Sequence, residues 1–158
     1  MMSNPDYKLL EAQLRALLDG ETDALANASN FVGLMFQAID EINWLGLYVL
    51  RDDELVLGPF QGKPACVRIP MGSGVCGTAA TTLQTQRVAD VQLFEGHIAC
   101  DPASRSEIVV PLQVRGELVG VLDIDSASPD RFSAEDQAGV ERICQVYCEL
   151  QAASPRFI

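Results

Sequence analysis

No uninterrupted apolar run in this chain approaches the ~20 residues that a helix needs to cross a bilayer, so no membrane-spanning helix and no membrane partner are expected. Basic residues are scarce: 11 Lys and Arg stand against 22 Asp and Glu, a formal net charge of −11. A chain so acidic gains no counterion-release energy from a phosphate backbone, which removes nucleic acid from the expected partners. The charge is read as serving solubility. The opening MMSNPDYK lacks the basic stretch and apolar run of a secretory signal, and the cytoplasm is the expected compartment. Histidine occurs once, as His97, and no Cys-x-x-Cys pair exists. Structural zinc sites usually show such a tight pair, so a zinc site built on the cysteines ranks well below redox use. No GK[ST] follows the glycines at 72, 74 and 77, so that turn is not a phosphate loop. Internal repeats, low-complexity tracts and interdomain linkers are absent as well.

What remains is a chain of 158 residues, 48% of them hydrophobic, enough for one domain with a core that needs no metal or disulfide staple. One unit over 1–158 is expected, with its core at about 22–150. Leucines 9, 10, 14, 17 and 18 recur at helical spacing over 5–19, and Gly20 stops that helix. A broad apolar face from Ala24 to Phe36 predicts a second helix over about 22–39. The pattern then turns to strands: Asn43–Leu50 and Glu54–Phe60 about a turn at Arg51-Asp52-Asp53, and a short one at Cys66–Ile69. A short helix is expected over Val75–Leu83, a short strand at Gln86–Val88, and a long loop from Asp90 to about Arg105. Loops of that length in a compact domain are often functional. Ile108–Val114 and Leu118–Asp125 read as a hairpin about Arg115-Gly116, and Ser133 caps a last helix to about Leu150. Two helices, a run of antiparallel strands and a closing helix make an α+β layered fold.

The cysteines carry the chemistry. Five is an odd number, so complete internal pairing is impossible. Cys144 and Cys148 lie four apart on the last helix among Val140, Ile143 and Tyr147, and are read as core. Cys66 in QGKPAC, Cys76 in GSGVCG and Cys100 in GHIACD sit in glycine- and acid-rich loop sequence instead. Thiols gathered there, in a compartment with little use for structural disulfides, point to catalysis, redox chemistry or metal binding. His97 is read as a loop-packing residue that could tune Cys100.

WLGLYVL, GSGVCGTAA, SEIVVPLQVRGELVGVLDIDS and RFSAEDQAGVERI together resemble the GAF domain, over nearly the whole chain. Within that fold, LGPFQGKPAC, GVCG, DV with GHIACD, SEIV and LDIDS in order are similar to the free methionine-(R)-sulfoxide reductases. The resemblance implies a single GAF domain, an antiparallel sheet with N-terminal helices and a C-terminal helix packed on it. It implies reduction of free methionine (R)-sulfoxide without a cofactor or metal. Cys100 is the implied nucleophile, acting as a thiolate and left as a sulfenic acid once methionine departs. Cys66 is the implied resolving partner, with Cys76 a second or alternative resolver, and thioredoxin the reductant of the resulting disulfide. A homodimer through the terminal helices is implied by resemblance alone.

Glu107, Asp123 and Asp125 match the family's active-site carboxylates. Strand alternation puts Asp123 and Asp125 on one face while Leu122 and Ile124 point the other way. Mutual repulsion between neighbouring acids should keep at least one of them protonated near neutral pH. Glu107 and Asp125 are assigned to the sulfoxide oxygen and Asp123 to the substrate ammonium. Trp44 and Tyr48, four apart on a strand and hence on one face, match the aromatics that wall the family's methyl pocket; core packing is the rival role for Tyr48. Backbone N–H groups at Gly72, Gly74 and Gly77 could hold the substrate carboxylate. The reading from a different class is a GAF ligand-binding or redox-sensing module without turnover, signalling through a Cys66–Cys100 disulfide.

Overall fold

The computed structural model describes residues 4–98, 100–154 and 156–158. Among the described residues three long helices, one short helix, six strands and a 3-10 turn succeed one another. Helix α1 (Tyr7–Leu18) and helix α2 (Ala24–Ala38) begin at Asp6 and Asp23, whose carboxylates accept from the backbone N–H of Leu9 and Ala26. Those bonds satisfy orphan donors of the first turn, which is why each helix starts there. Strands β1 (Trp44–Arg51), β2 (Glu54–Gln61) and β3 (Arg68–Pro70) follow, then helix α3 (Gly74–Thr82), strand β4 (Gln86–Val88) and the 3-10 turn Val91–Leu93. Strands β5 (Ser106–Val114) and β6 (Glu117–Ser126) form the second hairpin. Its turn is the expected Arg115-Gly116, both at positive φ (52° and 79°), the conformation that two-residue hairpins require. Helix α4 (Ala134–Gln151) starts at a capping box between Ser133 and Asp136.

The six strands form one antiparallel sheet in the order β3-β2-β1-β6-β5-β4. Alternation along each central strand builds two cores. Leu45, Leu47, Ile108, Val110, Leu112, Leu122 and Ile124 face α1, α2 and α4, where Leu14, Phe31, Met35, Ile143 and Tyr147 complete the larger core. Trp44, Tyr48, Leu55, Val109 and Val121 face the other way, toward Val75, Ala79 and Ala80 of α3. The expected core roles of Cys144 and Cys148 hold, for both are buried in the helical layer. No helix among the described residues is long and apolar enough to cross a membrane.

One buried ion pair locks the helical layer to the sheet end. Arg131 Nη1 lies 3.1 Å from Asp136 Oδ2, and its Nε donates to the Asp40 carbonyl at 3.0 Å. Tyr7 donates its hydroxyl to the other Asp136 oxygen at 2.7 Å, fastening α1 to α4. Removing one member of such a pair strands a charge in the interior. Arg131→Met is therefore expected to lower stability by about 3–5 kcal/mol, read as a reduced urea midpoint at unchanged slope. A loss below about 1 kcal/mol would show that the pair is dispensable.

Candidate active site

The site lies on the sheet face away from α1, α2 and α4, over the three central strands. Register decides which side chains meet there. Asp125 on β6 is paired with Trp44 on β1 and with Glu107 on β5; one step along, Asp123 is paired with Gly46 and Val109. The meeting of Glu107 with Asp125 depends on an irregularity. Near the turn, Val114 pairs with Glu117 and Gln113 with Leu118, but Leu112 then pairs with Gly120, leaving Val119 as an extra residue. Such a bulge shifts one strand by a residue. Without it Glu107 would oppose Ile124, and its carboxylate would be directed into the helical core. Gly46 matters for a similar reason. A Cβ there would come within 2.5 Å of the Trp44 ring, so only glycine lets the indole lie across that row.

Three further pieces wall the floor and enclose a pocket of about 570 Å³, its open mouth included. One wall is the first turn of α3: Ser73, Gly74, Val75 and Cys76 line the pocket, and the Ser73 side chain makes no capping bond. Gly74 has φ 62° and lies directly under Ile98, which a Cβ would meet at 3.2 Å. A second wall is the segment between β2 and β3. Trp44 Nε1 donates to the Lys63 carbonyl at 3.0 Å and the Tyr48 hydroxyl donates to the Cys66 carbonyl at 2.8 Å. The two aromatics therefore pack in the smaller core and line the pocket at once, and their polar tips hold the backbone that carries Cys66. The third wall is the loop 90–105, closed at its neck by Val91 N–H on the Arg105 carbonyl (2.8 Å) and by the Arg105–Asp90 ion pair (3.1 Å). It contributes His97, Ile98, Cys100, Asp101 and Ser104.

Of the three loop cysteines, two are joined. Cys66 and Cys100 form a disulfide with Cα atoms 5.6 Å apart, across 34 residues of sequence. Cys76 is a free, buried thiol on α3 with its Sγ 4.0 Å from Glu107 Oε1. Burial, reinforced by the charges of Asp123, Glu107 and Asp125, pushes the Cys76 thiol well above its ordinary range, so it is a neutral thiol at neutral pH. His97 stands in the pocket wall, and partial burial lowers its imidazole.

The carboxylates form one set. Glu107 and Asp123 are each only 6% exposed, and Asp125 is half-buried beside them. Burial, then the charges of Asp123 and Asp125, raises Glu107 well above the carboxylate range. Burial raises Asp123 to about 6, against the pull of its hydrogen bonds with Glu107 and Cys76. Asp125 is raised well above its ordinary value by burial, then by Asp123 and Asp101. Three acids so close share protons, and at neutral pH the set holds at least one neutral carboxyl able to donate. Asp123 Oδ1 is buried without a hydrogen-bond partner, which leaves an acceptor for a ligand's N–H. Cys76, Glu107 and Asp123 each offer an atom within 4.8 Å of the others. They are read here as a proton-sharing set.

The structure also brings in residues that the sequence pattern did not single out. Asn43 donates its backbone N–H to the Asp125 carbonyl at 2.9 Å, and its Nδ2 lies 3.2 Å from both Asp101 Oδ2 and Ser104 Oγ. The available signal was adjacency: Asp101 follows Cys100 and Asn43 precedes Trp44.

Residues 13–147 match the GAF domain, which defines the class of this fold. The chain is 54% identical over 137 residues to the free methionine-R-sulfoxide reductase of Escherichia coli K12, covering 87% of this chain and 83% of that one. It is 44% identical over 138 residues to the free methionine-R-sulfoxide reductase of Saccharomyces cerevisiae, covering 82% and 77%. Its structure matches that of the Neisseria meningitidis free methionine-R-sulfoxide reductase in complex with its substrate, with a TM-score of 0.91 at 38% identity over 100% of this chain and 98% of the other. The chain thus belongs to the free methionine-R-sulfoxide reductases, within the GAF domain family.

Proposed function

We propose that this protein reduces free L-methionine (R)-S-oxide to L-methionine with its own thiols. The observation that carries the reading is the Cys66–Cys100 disulfide, whose Cys100 lines a pocket floored by Glu107, Asp123 and Asp125 and walled by Trp44. The relatives' activity supports it. In the reduced enzyme the Cys100 thiolate attacks the sulfoxide sulfur while a neutral carboxyl, Glu107 or Asp125, protonates the oxygen. The oxygen passes to Cys100 as a sulfenic acid and methionine, reduced by two electrons, leaves. The Cys66 thiol then displaces water from the sulfenic acid and the disulfide forms. An external dithiol, thioredoxin, returns both thiols by exchange and is itself oxidised. Asp123 takes the substrate ammonium through its unpartnered oxygen. The N–H groups of Gly72 and Gly77 are taken up by backbone carbonyls, so the carboxylate falls to the remaining N–H groups at the start of α3, whose Gly74, Val75 and Cys76 line the pocket. Trp44 and Tyr48 take the methyl group. Cys76, neutral and buried, is a poor second resolver. We place the chain, as a single GAF domain, in the cytoplasm, where a dithiol donor is at hand, and as a homodimer through its terminal helices.

A GAF module that only signals through the Cys66–Cys100 bond would need the thiols but not two buried acids and a half-buried third, whose desolvation is costly without a task. Turnover separates the two readings. Reduced protein with excess dithiol and racemic free methionine sulfoxide should consume half of the mixture. A pyramidal sulfur with its methyl on Trp44 and its oxygen on the carboxyls exposes itself to Cys100 in one epimer alone. Chiral chromatography after exhaustive reaction checks this. Consumption of both epimers at similar rates would refute the pocket assignment, and absence of methionine would refute the reductase.

A further inference from the structure

We propose that Asp101, held by Asn43, is a positioning residue for the reaction: it ties the turn that carries Cys100 to the strand that carries Asp125 and sets the charge that Asp125 faces. This rests on the reductase reading above. Asp101 directly follows the nucleophile, and both of its carboxylate oxygens are occupied. Oδ1 accepts from the Ala103 N–H at 2.9 Å, closing the turn after Cys100, and Oδ2 accepts from Asn43 Nδ2 at 3.2 Å. A second bond from Asn43 Nδ2, to Ser104 Oγ, holds the far side of the same turn. Asn43 is itself fixed to the site, because its backbone N–H bonds the Asp125 carbonyl. One short relay therefore joins the loop of the nucleophile to the strand that carries Asp125, one of the two candidate proton donors.

The relay is also electrostatic. Asp125 shares the pocket with Glu107 from β5, Asp123 on its own strand, Tyr48 from β1, Cys76 from α3, Asp101 from the Cys100 turn, and Lys63 and His97 in the walls. Of these, Asp123 and Asp101 are the charges that push its carboxyl up, after burial. An anion beside a carboxyl favours its neutral form. Asp101 thereby adds to burial and to the Asp123 charge in favouring the protonated Asp125, the form that can protonate a sulfoxide oxygen.

Asp101→Asn removes the charge and keeps the turn. The new amide can still accept from Ala103, and Asn43 can rotate its side chain to present Oδ1, at present buried without a partner, to the new NH₂. Activity that needs a protonated Asp125 falls as pH rises through its pKa. Losing the neighbouring anion lowers that pKa, so the alkaline limb of single-turnover methionine release should move down by about one pH unit. Asn43→Ala keeps the charge but frees the turn, losing the hydrogen bonds to Asp101 and Ser104, and should slow release at least about two- to tenfold on the low-pH plateau, the size of one such bond. Carbon-13 NMR of the Asp125 carboxyl in the oxidised protein, assigned with Asp125→Asn, reads the same proton without turnover. A limb and an Asp125 titration that both stay at the wild-type pH in Asp101→Asn would overturn the proposal, as would wild-type release by Asn43→Ala. A shifted titration in a protein that releases no methionine, wild type included, would instead sink the reductase reading and leave the hold of Asp101 on Asp125 standing.

Discussion

Cys100→Ser is expected to release no methionine, even from a single turnover of fully reduced protein. Only the nucleophile takes part in the first step, and serine at neutral pH is a far weaker one. Cys66 does not line the pocket, and Cys76, which does, cannot stand in. Cys76 is buried against Glu107 and kept protonated by its surroundings, and a neutral thiol does not attack sulfur at a useful rate. Removing a catalytic nucleophile has cost on the order of 10⁶ in rate where it has been measured, which here means loss below detection. Cys66→Ser should behave differently. Its Cys100 can still take the oxygen, so about one equivalent of methionine should appear before the enzyme stalls as a sulfenic acid that a dimedone probe can label. Rapid-quench measurement of methionine against enzyme thiol distinguishes the two. Normal single-turnover release by Cys100→Ser would remove it from the role, and a complete absence of release by Cys66→Ser would make Cys66 more than a resolving partner.

The parts of this molecule legible in the sequence are those set by short-range periodicity. Alternation put Asp123 and Asp125 opposite Leu122 and Ile124, and the sheet has them so. Helical spacing placed α1, α2 and α4 to within a few residues, the exact starts falling where Asp6, Asp23 and Ser133 cap them. The short third strand was expected at Cys66–Ile69 but runs over Arg68–Pro70. There the backbone at 63 and 66 is engaged by the Trp44 and Tyr48 side chains, a choice that no local pattern encodes. The 3-10 turn inside the long loop, whose Asp90 side chain caps it, was likewise not expected. For the site, the cysteines stood out by type and setting, and the Cys66–Cys100 pairing came from the resemblance and not from any local pattern, since 34 residues of chain separate the bonded pair. The meeting of Glu107 with Asp125 was the least legible element, since it turns on one extra residue in β6 that reverses which face Glu107 shares. The relay from Asn43 to Asp101 joins residues 58 apart and has no sequence signature beyond their neighbours.

Glu107→Gln and Asp125→Asn are expected to test whether the carboxylates act through a proton or merely through charge. A sulfoxide oxygen leaves well only when protonated, so the donor must be neutral when substrate binds. Glu107 and Asp125 are both held well above the carboxylate range, first by burial and then by neighbouring acids, so a protonated carboxyl persists at neutral pH. The sign of the pH dependence follows. Below the raised pKa the donor carries its proton and the first step is fast; as pH rises through that pKa the proton is lost and the rate declines. Replacing the donor by its amide keeps its shape and its hydrogen-bonding N–H but leaves no proton to transfer. The first step should slow by a factor on the order of 10²–10⁴, the usual contribution of a general acid, and the alkaline limb due to that group should vanish. The other amide variant should retain a limb; where the donor is Glu107, Asp125→Asn moves that limb to lower pH, because the Asp125 charge is among those that raise Glu107. Cys66→Ser provides the background for the measurement, since it isolates the first step from disulfide formation. Single-turnover methionine release is then followed from pH 5 to pH 9 in that background with each carboxyl variant. Two variants that both react at the parent rate with the parent pH profile would show that neither residue is the acid, leaving Glu107 and Asp125 as contacts for the substrate ammonium.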